Sequence, residues 1–472
     1  MTKRAFTIED QNNFAELSGD FNPLHVDELA ARRYLFGTTV VHGVHLLLWA
    51  LDLWARENQP FELTSLESFF RKPLPVGEDV EYRLKDHKDN SAELELAGNG
   101  VSYVYIKMSW KPKGMKTAVA LPHALHGRAC KVLNASQLTA AGGEFRLSWE
   151  PVSAVRLFPD LAKKVPSVQI AQILATTRLV GMECPGLNSL YSELSVSFES
   201  KLSEPLSLKY KVREFDSRFS RVKIDVEGPS MKGRIGAFLR PSPSRQESFT
   251  AIQKTVKSDE FADQSALIIG GSRGLGEVTA KLLAAGGAKV MLTYNKGRQD
   301  AVNIVNEIGE QAGCTYFDVM DLGKADLEKI AAFKPTHLYY FATPKISPSG
   351  AEFSEKLFKN FWEFYVSGFS RSLEFLLKAP SLKNIFYPST VYIDHLPRSF
   401  LEYTKAKAEG EALCSDLEKK NKDLAVYYPR LPRMVTDQTV SIYSHELSGN
   451  PVTIMLEYLR HFQAKQKELV KK

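Results

Sequence analysis

The alternation of apolar and polar positions divides this chain into two unlike halves. From Ala266 onward, short apolar runs recur between helical patterns: Ala266–Ile269, Val290–Leu292, Thr315–Phe317, His337–Phe341, Asn384–Tyr387 and Ala425–Tyr428. Runs of that length without polar interruption suit strands buried on both faces. Their alternation with helices predicts βαβ units on a parallel sheet. The first half reads differently, with a long apolar helix over Val44–Ala55 followed by strands in which apolar and polar residues alternate.

The first half also repeats. Leu63-Thr-Ser-Leu-Glu-Ser-Phe-Phe-Arg-Lys-Pro-Leu-Pro-Val-Gly77 and Leu194-Ser-Val-Ser-Phe-Glu-Ser-Lys-Leu-Ser-Glu-Pro-Leu206 each place a Phe ahead of a basic residue and a proline step. Each then continues into a strand, Val80–Leu84 or Leu206–Val212, and each follows a helical stretch, Val44–Ala55 or Gln169–Val180. Two copies of one small α+β unit are expected. Between Arg240 and Ser265 the text turns polar and proline-punctuated, which reads as a linker. The expected division is 1–120 and 121–242 for the two copies, 243–262 for the linker and 263–472 for the parallel-sheet domain.

Composition narrows the classes. Of 472 residues, 44% are hydrophobic and 25% charged, which excludes a disordered, collagenous or coiled-coil chain. Lys and Arg number 61 against 55 Asp and Glu, a mild excess of +6 with no dominant basic block. Nucleic acid is therefore not the expected partner, and an acidic small molecule or acidic carrier protein suits the balance better. The N-terminal stretch turns acidic before any apolar run develops, so no signal peptide is expected. Val44–Ala55 is too short to span a bilayer core of roughly 30 Å. Cys130, Cys184, Cys314 and Cys414 lie far apart without metal-ligand spacing, so neither a disulfide framework nor a metal site is expected. The chain reads as cytoplasmic. His123 and His126, between the copies, are read as surface or structural groups.

Ser18-Gly-Asp20-Phe-Asn22-Pro-Leu-His25-Val-Asp27 carries the richest chemistry of the first half. Asp20 and His25 are five positions apart across an Asn-Pro turn, which can bring a carboxylate and an imidazole to one water and move its proton. Downstream, Val40-Val-His42-Gly43 opens the apolar helix, where unpaired N–H groups and a bare Cα let a carbonyl oxygen approach the backbone. These motifs resemble the MaoC-like family of (R)-specific enoyl-thioester hydratases, whose pattern Gly-Asp-x-Asn-Pro-Leu/Ile-His-x-Asp and then Val-His-Gly is matched without a gap. The resemblance covers about the first 110 residues. It implies an α+β hotdog fold, Asp20 and His25 as the catalytic pair, Asn22 as organiser of the turn and Gly43 N–H as donor to the thioester carbonyl. Around Met182-Glu-Cys-Pro-Gly-Leu-Asn-Ser-Leu-Tyr191 the second copy resembles the same fold but lacks the Asp-His turn, as in a double hotdog whose degenerate half shapes the acyl tunnel.

In the second half, Ile269-Gly270-Gly-Ser272-Arg273-Gly274-Leu275-Gly276 lies between a strand and a helix over Glu277–Ala285. That is the context in which glycines let a backbone turn against a pyrophosphate at a helix N-terminus. Tyr403 and Lys407 lie four residues apart, on one face of a helix, where an ammonium favours the phenolate of a tyrosine whose ordinary pKa is about 10. Ser389-Thr390 upstream supplies a hydroxyl to orient a carbonyl; either residue can serve, and Ser389 is favoured.

In this order the elements resemble the short-chain dehydrogenase/reductase family, from Ala266 to the C-terminus. The resemblance implies an α/β Rossmann-type doubly wound parallel sheet. It also implies coenzyme contacts from Gly270, Ser272, Arg273, Gly274, Leu275, Gly276, Asn295, Lys296, Asp318, Val319, Tyr403 and Lys407. The chain departs from the family at Phe341-Ala342-Thr343, at Pro429-Arg430-Leu-Pro432, and at Tyr365, which stands where the family has a catalytic Asn.

No acid ends the second strand, Leu292-Thr293-Tyr-Asn295-Lys296, while Arg273 and Lys296 can neutralise a 2′-phosphate, so NADP(H) is favoured over NAD(H). The two resemblances together imply NADPH-dependent reduction of a 3-oxoacyl thioester and reversible dehydration of the 3-hydroxyacyl product to the trans-2-enoyl thioester. Such steps belong to fatty acid, polyketide or related lipid metabolism, on coenzyme A or an acyl carrier protein. The alternative is that only the hydratase half is catalytic and the Rossmann half binds a nucleotide or docks a carrier. A homodimer or a homotetramer is left open.

Overall fold

The computed structural model describes residues 2–114, 120–123, 127–346, 348, 352–439 and 449–470, which fall into two compact units meeting in sequence at Pro243 and Ser244.

The first unit is built on one antiparallel sheet of ten strands. Their order is Lys3–Ala5, Asp79–Lys88, Ser91–Gly98, Val101–Pro112, Phe61–Phe70, Ser189–Phe198, Met231–Leu239, Arg221–Glu227, Ser207–Asp216 and Gly142–Arg146. Read inward from either edge the order is the same: a short outer strand, three strands in chain order, and the earliest long strand at the centre. The two repeated sequence segments are those central strands, paired antiparallel with Leu66 opposite Val196. Each half adds one apolar helix, Gly43–Glu57 or Ser167–Arg178. Every residue from Val44 to Ala55 is buried, as expected of a helix that is apolar all round. Because the central strands pair and both halves share one core, the two copies form one compact unit.

The second unit carries six parallel strands, in the order Ala312–Tyr316, Lys289–Tyr294, Ser265–Ile269, His337–Tyr340, Asn384–Phe386 and Ala425–Tyr427. In chain order these strands run 3-2-1-4-5-6, so the direction of winding reverses between Ser265–Ile269 and His337–Tyr340. A crevice opens outside the strand ends at such a switch point. The expected linker 243–262 is corrected. Phe249, Ile252, Val256 and Phe261 are buried in the core of this unit, because apolar residues among the polar ones find the flank of helix Gly274–Ala285.

Among the described residues no helix is long and apolar enough to cross a membrane. His123 is exposed, and His126 lies outside the described residues.

Candidate active sites

In the first unit, Asn22 caps the one-turn helix Pro23–Val26, its Oδ1 accepting from the Leu24 N–H at 3.1 Å, with Pro23 at the first helical position. This turn swings His25 back toward Asp20, and one ligand atom each of Asp20, His25 and His42 lie within 4.8 Å of one another. His25 Nδ1 donates to the Val40 carbonyl at 2.8 Å; a carbonyl only accepts, so the lone pair is on Nε2. The Asp20 carboxylate is buried, Oδ1 accepting from the Asn22 N–H at 3.2 Å and Oδ2 from the Thr177 hydroxyl at 2.6 Å.

Burial dominates both groups. It pushes the Asp20 carboxyl up to about 6 against the two hydrogen bonds. It pushes His25 down to about 4 against the Val40 bond, with the Arg240 charge adding to the effect. The site therefore holds a neutral imidazole beside a carboxyl whose proton is exchangeable near neutral pH.

Gly43 is the first residue of helix Gly43–Glu57, so its N–H has no acceptor within the helix. A Cβ there would lie 2.8 Å from the Phe70 ring, so only glycine keeps this packing. His42, just before it, ties the helix start to the Asp-His turn. Its ring stacks on His25 at 3.9 Å between centroids, Nε2 lies 3.0 Å from the Asp20 carbonyl oxygen, and Nδ1 lies 3.0 Å from Gln11 Oε1. As a metal site the trio is poor, since both His42 nitrogens already face oxygens.

The sequence reading placed Asp20, His25, Asn22 and Gly43 and missed three contributors. His42 was visible in Val-His-Gly but had no assigned part. Thr177 and Gly181 come from the second half, and nothing near them in sequence announces a carboxylate partner. Asn22 also reaches them, its Nδ2 donating to the Gly181 carbonyl at 3.0 Å and the Leu187 carbonyl at 3.2 Å.

In the second unit the glycine loop follows strand Ser265–Ile269 and enters helix Gly274–Ala285. Gly270 has φ +80° and a Cβ on it would lie 2.8 Å from Ala342 N, so the loop presses against the next strand's end as only glycine permits. Ser272 is buried, and Leu275 packs on the core. Arg273 Nη1 donates to Asp437 Oδ2 at 2.8 Å. Asn295 and Lys296 are exposed just past strand Lys289–Tyr294. Asp318 Oδ1 accepts from the Met320 N–H at 2.9 Å, and Arg371 holds the Val319 carbonyl at 3.0 Å. A glycine-rich loop at a helix N-terminus, with no acid at the end of the second strand, fits a dinucleotide bearing an extra phosphate.

Helix Leu401–Lys420 carries Tyr403 and Lys407, both buried. Here two expectations are corrected. Ser389 and Thr390 are neighbours on a short strand and so point to opposite sides. The Ser389 hydroxyl donates to the Glu411 carboxylate, while the Thr390 side chain lies on the Tyr403 side and opposes the rise in the phenol's pKa. Thr390, not Ser389, is the hydroxyl beside the tyrosine.

The second correction concerns the phenolate. Burial pushes Tyr403 up to about 12, with Thr390 opposing. The Lys407 ammonium is instead spent on the Pro388 carbonyl at 2.6 Å and stands 4.0 Å from the Tyr365 ring centre, and burial pushes it down to about 7. Tyr365 occupies a π-helical turn, Glu363–Ser367, with its phenol 2.6 Å from the Thr343 hydroxyl.

Comparison with known proteins finds two family matches. Residues 2–99 match the family described as MaoC like domain, and residues 264–334 match short chain dehydrogenase. The N-terminal stretch is thus similar to MaoC-like domains, and the stretch that carries the glycine loop is similar to short chain dehydrogenases. It is 33% identical over 85 residues to a 3-hydroxybutyryl-CoA dehydratase of Methylorubrum extorquens, covering 18% of this chain and 54% of that protein. It is 31% identical over 77 residues to a mitochondrial 3-hydroxyacyl-[acyl-carrier-protein] dehydratase of Arabidopsis thaliana, covering 16% and 46%. The chain thus spans about half the length of these curated relatives. Among solved structures, a short chain dehydrogenase/reductase family protein is 21% identical, covering 44% of this chain and 93% of that one, with a TM-score of 0.40. A short chain dehydrogenase from Shigella flexneri complexed with NADP is 20% identical, covering 44% and 96%, with a TM-score of 0.40.

Proposed function

We propose that the first unit is a double hotdog that catalyses reversible hydration of a trans-2-enoyl thioester to the 3-hydroxyacyl thioester. The observation that carries this reading is the convergence of the Asp20 carboxylate, the bare Nε2 of His25 and the helix start at Gly43. A water held between Asp20 and His25 Nε2 adds its oxygen to C3 of the enoyl group. Its proton passes to the Asp20 carboxylate, and a proton is returned to C2. The Gly43 N–H donates to the thioester oxygen as negative charge gathers there. Dehydration is the same path reversed. Relatives named for CoA and acyl-carrier-protein substrates support a carrier thioester as the substrate class.

The second unit is read as an NADPH-dependent reductase of 3-oxoacyl thioesters, whose 3-hydroxyacyl product is what the first unit would dehydrate. The loop from Gly270 to Gly276 would hold the pyrophosphate, with Asp318 and Val319 toward the adenine and Arg273 and Lys296 toward the 2′-phosphate. Bound there, the coenzyme supplies hydride. Tyr403 would donate its proton to the carbonyl oxygen, with Thr390 orienting that oxygen and Lys407 near the coenzyme. One observation favours a second reading, in which this unit binds a nucleotide without turnover: Lys407 is spent on Pro388 and Tyr365, and Tyr365 replaces the family's Asn. Crotonyl-CoA hydration by the purified protein, measured beside NADPH oxidation with acetoacetyl-CoA, tests both halves. Hydration without oxidation selects the second reading, and neither activity defeats the first.

A further inference from the structure

We propose that Thr177, on the half of the first unit that lacks an Asp-His turn, is a positioning residue that fixes the orientation of the Asp20 carboxylate. The proposal rests on the hydration reading above and gives the degenerate half a part in the chemistry beyond shaping a tunnel.

The contacts are specific. Thr177 lies at the end of helix Ser167–Arg178, which runs into a π-helical turn, Leu179–Glu183. Its neighbour Thr176 turns its hydroxyl back to the Ile173 carbonyl at 2.6 Å, the usual local bond of a helical threonine. Thr177 does not. Its hydroxyl crosses to Asp20 Oδ2 at 2.6 Å in a buried setting, and because a carboxylate only accepts, the threonine is the donor.

The turn that follows completes the seat. Gly181 faces the carboxylate so closely that a Cβ would overlap it, its carbonyl accepts from Asn22 Nδ2 at 3.0 Å, and the Phe21 N–H lies 3.2 Å from Met182 Sδ. Side chains ending in a planar group turn easily about their last bond. A donor on Oδ2, the Asn22 N–H on Oδ1 and a bare Cα against the face leave Asp20 one orientation.

A donor to the ionised form also holds down the pKa that burial raises, so removing it should move the titration of Asp20 to higher pH. The other ionisable groups around the carboxylate are His42, with Nε2 4.0 Å from Oδ2, His25, and the Cys130 thiol. None of them is altered by a change at Thr177.

The test compares the full-length protein with Thr177→Val, which keeps the shape and loses the donor, and Thr177→Ser, which keeps the donor. For crotonyl-CoA hydration, Thr177→Val should lower kcat by roughly 10- to 100-fold, the scale of one charge-assisted hydrogen bond in a buried site. KM should change little, the acid limb of the pH profile should move up, and Thr177→Ser should restore both. A second readout needs no turnover: the carboxyl 13C titration of Asp20, assigned with Asp20→Asn, should shift up in Thr177→Val and return in Thr177→Ser. If Thr177→Val does not fold, Thr177→Ala takes its place. If the unmodified protein hydrates nothing, the hydration reading fails and the titration alone decides on Thr177. A donorless variant with unchanged kcat, acid limb and titration overturns the proposal.

Discussion

The rings of His25 and His42 stack with centroids 3.9 Å apart, inside a pocket that also buries the Asp20 carboxylate. Two imidazoles so close cannot both carry a positive charge, and burial already disfavours the charge on either. Both are therefore neutral at ordinary pH, and the group that titrates nearest neutrality is the carboxyl.

Hydratase activity should accordingly have an acid limb near pH 6 set by Asp20, since the mechanism needs its carboxylate and His25 protonates only near 4. Asp20→Asn and His25→Ala should each lower the rate by roughly 10²-fold or more. A pH–rate profile flat from 5 to 8, or unchanged rates in both variants, would count against the assignment.

His45 gives a stability prediction independent of activity. It is fully buried among Phe6, Phe14 and Phe158, and among the described residues neither ring nitrogen has a hydrogen-bond partner. Burial pushes it from 6.5 down to about 3, so between these values the folded state binds fewer protons than the unfolded one. Stability linked to it is full above 6.5 and is lost as pH falls, by about 2 kcal/mol at pH 5. His45→Phe should raise the melting temperature of the first unit at pH 7 and raise it further at pH 5. An equal effect at both pH values would contradict this.

The choice between Ser389 and Thr390 is open to a direct comparison. Thr390→Val should reduce NADPH-dependent reduction by roughly 10²-fold, while Ser389→Ala should cost far less. Tyr403→Phe should abolish turnover with coenzyme binding retained, as read by NADPH fluorescence. The reverse ranking of Ser389 and Thr390 would show that substrate binding rearranges this strand.

Coenzyme choice should rest on Arg273 and Lys296. Replacing both with alanine should weaken NADPH binding by about 10-fold or more while leaving NADH nearly unchanged, because only NADPH presents the 2′-phosphate to a cation. Equal affinity of the unmodified protein for the two coenzymes would refute the preference.

Much of both sites is legible in sequence because the interactions that shape them are local. An Asn cap and a proline at the first helical position set the Asp20–His25 turn within five residues, four residues align Tyr403 with Lys407, and glycines mark the loop before helix Gly274–Ala285. The repeat in the first half likewise announced the matched central strands. Other features depended on contacts the spacing cannot express. Thr177 reaches Asp20 from 157 positions away, Phe249 and Phe261 pull an apparent linker into a core, and strand alternation hands Tyr403 to Thr390. Protonation was decided last and least locally. Asp20, His25, Tyr403 and Lys407 are all shifted chiefly by loss of water, and how much water a side chain loses is a property of everything folded around it.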